Sequence, residues 1–122
     1  MARKCLGRKG LSLTAKLLLE GQEFIVLNRG SQFVFSQAIS FVVNCETQEE
    51  IDRYWEQLSN CGEQQPCGWL KDKYGVSWQV VPVVLAELLN DPSPEKSQRV
   101  MKALLPMGKI DIHELERASA ND

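Results

Sequence analysis

The hydrophobic and polar positions in the first half of the chain predict strands. Residues 11–19 (LSLTAKLLL) have a short polar alternation and an apolar end, and Gly21 separates them from residues 23–27 (EFIVL). This arrangement is typical of a hairpin. A cluster of turn-forming residues follows at 28–31, and the mostly apolar, β-rich segment 38–45 (AISFVVNC) comes after it. That segment predicts a buried strand.

A helical period begins directly after this strand. Thr47 and Glu50 have the spacing of a capping box, in which the threonine hydroxyl accepts from a free amide and the glutamate reaches back. Apolar residues then recur at helical spacing and leave the polar residues on the opposite side. The apolar stripe consists of Ile51, Tyr54, Trp55 and Leu58. The pattern predicts a helix over 47–59 that covers one face of a sheet.

Strand signals return between residues 60 and 82. Asn60, Gly62 and Pro66 permit only a short strand at a sheet edge. Residues 67–82 (CGWLKDKYGVSWQVVP) then predict a second hairpin with its turn at 72–75. Alternation on the outgoing strand separates a more polar face from an apolar face, namely Ser77, Gln79 and Val81 against Val76, Trp78 and Val80. The apolar face should meet the helix.

The last third of the chain has helical spacing. Apolar positions in 83–89 end at an Asn-Asp-Pro stop, and Ser93 with Pro94 predicts the start of a further helix. A last short helix opens at Asp111, where Glu114 completes a second capping box. The strands therefore precede a set of about three short C-terminal helices. This order of elements predicts an α+β fold.

The amino-acid composition excludes some classes of binding partner. The 122 residues include 14 basic and 16 acidic side chains, and the net charge of -2 offers no general attraction to nucleic acid or to an anionic membrane. Residues 1–10 form a basic arm without aromatic residues that could stack on bases. No apolar stretch approaches the ~20 residues of a membrane helix, and no secretory signal is evident. We therefore expect a cytoplasmic protein that binds neither nucleic acid nor membranes.

A reducing compartment would leave the cysteines as thiols. The chain has four of them, Cys5, Cys45, Cys61 and Cys67, and no C-x-x-C pair. Structural disulfides are disfavoured in the cytoplasm, so free thiols are expected at all four positions.

Three segments carry a family resemblance. They are ISFVVNCETQEEIDRYWEQLSNCG, CGWLKDKYGVSWQVVP, and DPSPEKSQRVMKALL with KIDIHELERA. Together, over about Gly21 to Ala118, they resemble the PhnB-like branch of the vicinal oxygen chelate superfamily, which includes glyoxalase I, bleomycin-resistance proteins and extradiol dioxygenases. The resemblance implies βαβββ modules that pair into an open cup, with a ligand site on its inner face. It also implies a dimer.

The resemblance implies a division of the chain. Residues 1–122 form a single domain: after the basic arm, 11–28 are a remnant of a first module, 38–82 are the second module and 83–118 are C-terminal helices. Nothing before residue 11 is long enough to supply the opening strand and helix of a first module. A half-built sheet leaves an open edge and an apolar face, so we expect a homodimer, with exchanged strands as one form of it.

The resemblance also implies where a ligand would bind. Metal-dependent members place a histidine and a glutamate where this chain has Ser40 and Gln79. A hydroxyl and a neutral amide are poor ligands for divalent ions, so neither a bound metal nor a cofactor is expected. The candidate ligand-binding residues of the cup interior are Asn28, Ser40, Trp69, Ser77 and Gln79. No catalytic residue is identified.

Several functions remain open at this stage. One is an enzyme whose polar groups bind and polarise a small oxygen-rich substrate. Another is a sequestration protein like the bleomycin-resistance proteins, with Trp69, Phe41 or Trp78 against a planar ligand. Metal-dependent lyases, isomerases and dioxygenases, and a purely structural protein, are further alternatives. The name demethylubiquinone methyltransferase is attached to many members of this branch, but the chain has no glycine-rich cofactor turn to support it.

Three other residues have chemistry that a site could use. Asp72 could act as an acid or base, although an aspartate in a hairpin turn usually accepts hydrogen bonds from its own backbone. Cys67 could be a nucleophile, but a small buried thiol is commoner. His113, the only histidine, is expected to be a solvated helix residue.

Overall fold

The computed structural model describes residues 14–27 and 34–120, and the chain divides into two compact units between Val34 and Phe35. In the first unit, β1 (Thr14–Leu19) and β2 (Gln22–Leu27) form an antiparallel hairpin. Glu20 and Gly21 make its two-residue turn, and both have positive φ values, 52° and 79°. Glycine adopts this conformation without steric cost. The predicted hairpin is confirmed.

The second unit contains a four-stranded sheet with one crossover helix. Its strands are β3 (Ser40–Cys45), β4 (Glu63–Gln64), β5 (Trp69–Lys71) and β6 (Ser77–Pro82). They lie in the order β3-β6-β5-β4, and only the β3–β6 pair is parallel. The helix α1 (Gln48–Ser59) joins β3 to β4. This is one βαβββ module, and the short edge strand between residues 60 and 66 is confirmed.

The helix α1 starts where its capping residues predict. The Thr47 hydroxyl accepts from the Glu50 amide at 3.2 Å, and the Glu50 carboxylate accepts from the Glu46 amide at 3.0 Å. The glutamate thus reaches back one residue beyond the usual partner of a capping box. Ile51 and Trp55 on its apolar stripe are buried.

The first apolar cluster lies between α1 and one face of the sheet. Its buried members are Cys45, Ile51, Trp55, Leu70 and Val80, and Val43, Tyr54, Leu58 and Trp78 pack against it. Trp78 and Val80 therefore lie on the face that α1 covers, as the alternation predicts. Phe41 is beside Trp78 in the parallel register, and their ring centroids are 5.2 Å apart. Phe41 consequently belongs to the same face.

The expectation that 38–45 is a buried strand is wrong. Among the described strands, β3 lies at one end of the sheet and pairs only with β6, so no second described strand encloses it. Of its six residues only Cys45 is buried, and Val42 is 51% exposed. An apolar run of this kind is typical of a strand that is packed on both faces. A strand at the edge of a sheet can have the same composition, so composition does not separate the two cases.

A second apolar cluster holds the C-terminal helices α2 (Val84–Leu89), α3 (Pro94–Leu104) and α4 (Ile112–Ala120). Val100, Leu104, Ile110 and Leu115 are its buried members, and Val81 of β6 packs against it. The predicted caps are present, because Ser93 accepts from the Lys96 amide at 3.4 Å and Asp111 from the Glu114 amide at 3.2 Å. The α+β class is confirmed.

The cysteines differ from the expectation at one position. Cys45 and Cys67 are free thiols, whereas Cys61 takes part in a disulfide. The free-thiol expectation for Cys61 is wrong because it was based on the redox compartment and not on local geometry; Cys5 lies outside the described residues. The longest described helix has 12 residues. None of the described helices has the length and apolar character needed to cross a membrane.

Candidate functional site

The face of the sheet opposite α1 brings most of the predicted site residues together. Strand pairing places them in two rows. Ser40, Ser77 and Lys71 form one row across β3, β6 and β5. Val42, Gln79 and Trp69 form the next row. We call these six side chains the polar face, since Trp78, Val80 and Leu70 alternate with them and pack towards α1.

Ser40 and Gln79 are in direct contact on the polar face. The Gln79 side-chain amide donates to the Ser40 hydroxyl over 2.9 Å, between strands that are parallel neighbours. The hydroxyl proton of Ser40 and the amide oxygen of Gln79 remain as a donor and an acceptor. The pair can therefore present both kinds of hydrogen-bonding group to a ligand.

Ser77 lies between Ser40 and Lys71 in the first row. It is 1% exposed, and its hydroxyl has no hydrogen-bond partner among the described residues. Leaving a buried hydroxyl unsatisfied costs about 1–3 kcal/mol. Most buried polar side chains in folded proteins have a partner, so the Ser77 hydroxyl is a candidate to bind a group from outside the chain.

Trp69 is placed differently from the other two candidate aromatic residues. It is half-buried, it pairs with Gln79 across β5 and β6, and it is absent from both apolar clusters of the described residues. Trp78 is part of the first cluster, and its indole N–H donates to Asp72 at 2.9 Å. Phe41 shares the Trp78 face. Only Trp69 of these three lies on the polar face.

Asn28, the remaining predicted site residue, lies outside the described residues. Four of the five predicted residues, Ser40, Trp69, Ser77 and Gln79, share one face of the sheet.

The structural interpretation of Asp72 is supported by its contacts. One carboxylate oxygen accepts from the backbone amides of Tyr74 and Val76 at 2.9 and 3.0 Å, and the other accepts from Trp78. The Gly75 amide also donates to the Asp72 carbonyl at 2.9 Å. These bonds close the hairpin turn predicted at 72–75, and both oxygens of the carboxylate are engaged in it.

The two free thiols lie outside the polar face. Burial, followed by the negative charge of Glu50, raises the pKa of the Cys45 thiol, and Arg53 only partly offsets this. A raised pKa keeps Cys45 protonated and unreactive at neutral pH. The Cys67 thiol lies 3.7 Å from the Leu104 carbonyl and packs against the second apolar cluster. His113 is an exposed residue of α4.

The donor set of the polar face does not fit a divalent metal. Ser40 and Gln79 offer a hydroxyl and an amide that bind each other, and such ions prefer imidazole, carboxylate or thiolate. Within residues 14–27 and 34–120, no group of three or more histidine, cysteine or acidic side chains could hold a metal.

Two residues of the polar face, Lys71 and Val42, are not among the residues predicted from the sequence, and Lys71 is the one with chemistry that a site could use. Lys71 is the cross-strand partner of Ser77, and its ammonium group makes no hydrogen bond or ion pair with the described residues. Alternation along β6 alone does not reveal Lys71, which belongs to the other arm of the hairpin. Pairing the two arms of the hairpin across the turn at 72–75 would have placed Lys71 beside Ser77.

The sequence and the fold were compared with known proteins. A family model described as 3-demethylubiquinone-9 3-methyltransferase matches residues 2–81, which is more than half of the chain. A PhnB protein from Bacillus cereus, provisionally described as the same methyltransferase, has 37% identity over 63% of this chain and 69% of its own, with a TM-score of 0.55. The Pseudomonas aeruginosa protein PA1353 has 18% identity over 57% of this chain and 62% of its own, with a TM-score of 0.47. No curated protein matches the sequence.

Proposed function

The chain belongs to the 3-demethylubiquinone-9 3-methyltransferase family, in its PhnB-like branch, and on this premise we propose that it binds a small oxygen-rich molecule on the polar face. The binding needs no divalent metal. A second copy of the chain completes the site.

The contact between Gln79 and Ser40 carries this proposal. The 2.9 Å hydrogen bond fixes two polar side chains on adjacent strands, at positions where metal-dependent relatives would place metal ligands. Trp69 pairs with Gln79 on the next strand and offers an aromatic surface beside them. Small-molecule sites combine a few fixed polar groups with apolar and aromatic side chains, and the polar face has both kinds of group.

Methyl transfer by the usual nucleotide-like methyl donor is not the function that these residues favour. Such a donor is held by a glycine-rich turn between a strand and a helix in a doubly wound sheet. Here the corresponding turn between β3 and α1 contains Glu46 and Thr47 and no glycine. The sheet has four strands, and only one of its three strand pairs is parallel.

The proposal of a second copy comes from the edge of the sheet. β3 ends the sheet on one side, and its apolar residue Val42 is 51% exposed. Ile39, just before the strand, is 75% exposed. Strand edges flanked by exposed apolar residues favour pairing with another chain.

Thermal unfolding in the presence of small molecules tests the proposed function. The full chain is screened against phenols, aromatic carbonyl compounds and hydroxy acids, with divalent metals or with a chelator. We expect at least one compound to raise the unfolding midpoint, since a ligand of the native state stabilises it. The chelator should leave that shift unchanged.

Two variants test whether the shift in the unfolding midpoint depends on the polar face. Gln79→Leu should abolish the response, whereas Gln57→Leu, an exposed position on α1, should retain it. The absence of any response in the wild-type chain would contradict the proposal. A shift that requires added metal would instead favour a metal-dependent enzyme.

Sequestration is the second candidate, and Trp69 favours it. Its half-buried ring lies outside the two apolar clusters, so part of it is available to stack on a planar molecule. Prolonged incubation with the compound found in the screen separates the two candidates. A compound recovered unchanged supports sequestration, and a converted compound supports an enzyme.

A further inference from the structure

We propose that Lys71 and Ser77 form an anion subsite on the polar face, which takes the carboxylate of a small organic acid. The inference rests on the proposed function, because it specifies the chemical class of the molecule that binds there. Its basis is the buried hydroxyl of Ser77 beside Lys71, neither of which has a polar partner in the part of the chain that the structure describes.

Strand register brings the two groups together. Lys71 of β5 and Ser77 of β6 are direct cross-strand partners, and Ser40 of β3 is the partner of Ser77 on its other side. Side chains directly opposite on one face have Cβ atoms about 5 Å apart. The two residues are therefore close enough to share one ligand group, which reaches the buried Ser77 hydroxyl once the side chains over it move aside.

The hydrogen-bonding capacity of the row matches a carboxylate. Lys71 offers only donors, and the Ser77 hydroxyl has no partner within residues 14–27 and 34–120. The Ser40 hydroxyl already accepts from Gln79, so its own proton is available to donate. An ionised carboxylate only accepts. A primary carboxamide of the same shape would instead direct an N–H group at one of these donors.

Glu63 lies on the other side of Lys71, and its negative charge opposes the binding of a carboxylate. It is the cross-strand partner of Lys71 on β4, but it is exposed and forms no ion pair with the lysine. Its charge repels an anion near Lys71. Replacing it by a neutral residue should therefore strengthen carboxylate binding.

The Ser77→Ala variant separates a binding role from a structural one. Removing a buried hydroxyl that no described residue satisfies should raise the unfolding midpoint of the free protein. The same change removes a donor to the carboxylate, so affinity should fall. A structural serine would give the first effect without the second.

Titration of the isotopically labelled full chain, followed by its amide resonances, tests the subsite. The probes are matched pairs: benzoate with benzamide, 2-naphthoate with 2-naphthamide, and propionate with propionamide. We expect the carboxylate of a pair to bind about tenfold more tightly than the amide, the size of one charge-assisted hydrogen bond. Lys71→Met should remove that preference, and Lys71→Arg should keep most of it.

Lys73→Met is the matched control. Lys73 is exposed in the turn beside β5, with its ammonium group over the Tyr74 ring, and the variant changes the net charge equally. It should leave the preference unchanged, while Glu63→Gln should increase it.

The outcomes separate this inference from the proposed function. Equal binding of carboxylates and amides would overturn the anion subsite and leave ligand binding on the polar face standing. An equal loss in the Lys71→Met and Lys73→Met variants would also overturn it, because the effect would then be one of net charge. The absence of binding by every probe, together with no response in the thermal screen, would overturn both.

Discussion

Gln48 connects two segments that are distant in sequence. Its side-chain amide donates to the Ile110 carbonyl at 2.9 Å and its oxygen accepts from the Ile112 amide at 2.8 Å. Gln48→Ala would leave both partly buried backbone groups without partners. We expect a loss of about 1–3 kcal/mol in the free energy of unfolding, measured with urea.

The control for this change is on the same helix. Gln57→Ala alters an exposed glutamine, and surface substitutions of this kind stay within about 0.5 kcal/mol. Similar losses in the two variants would show that the bonds of Gln48 add nothing beyond helix propensity.

Asp52 makes stability depend on pH in the acid range. Hydrogen bonds from Gln48 and then from Lys109 lower the pKa of its carboxyl group. A lowered folded-state pKa stabilises the native state above the unfolded value of about 3.9, and this contribution is lost as the pH falls through the folded-state pKa. The side chain is half-exposed, so the effect is small.

Urea unfolding at pH values from 7 down to 2.5 tests this effect. Asp52→Asn should flatten the acid side of the stability profile below about pH 4, whereas Glu56→Gln, an exposed neighbour on α1, should not. An unchanged acid slope in Asp52→Asn would mean that other carboxyl groups account for it.

At the scale of elements, the sequence predicts the features that depend on contacts within one turn of the chain. The starts of α1 and α3 follow from Thr47 and Ser93, because each cap is a bond within one turn. The exposure of β3 and the position of Lys71 beside Ser77 depend on which strands become neighbours. Alternation could place Ser77 and Gln79 on one face, but it could not show that the Ser77 hydroxyl is buried without a partner.

The end of α4 depends on a side chain from α3. The Arg99 guanidinium donates to the carbonyls of Ala118 and Ser119 at 2.9 and 3.1 Å, which are orphan acceptors at a helix C-terminus. Arg99→Met keeps the apolar stem and removes both donors. We expect it to cost about 1–3 kcal/mol of stability and to speed amide exchange in the last turn of α4.

The exposed Gln98 on α3 supplies the comparison. Gln98→Met leaves the bonds to α4 intact, so its exchange rates should match those of the wild type. Equally fast exchange at the end of α4 in both variants would contradict a capping role for Arg99.

At the scale of the whole molecule, the described residues contain one βαβββ module, whereas the family resemblance implies modules in pairs. If a second copy supplies the missing partner, sedimentation should give twice the chain mass of 13.8 kDa at micromolar concentration. Val42→Lys places a charge on the exposed edge strand β3. We expect that variant to sediment as a monomer, because a charged edge strand resists pairing.

A matched substitution shows whether β3 itself is the contact. Val83 is also exposed but lies between β6 and α2, so Val83→Lys should remain dimeric. If both variants are monomeric, the added charge acts without regard to position. If the wild type is itself monomeric, the polar face is complete in one chain, and ligand binding should then be independent of protein concentration. In a dimer-completed site, diluting the wild type until it sediments as a monomer should remove the thermal shift caused by the ligand.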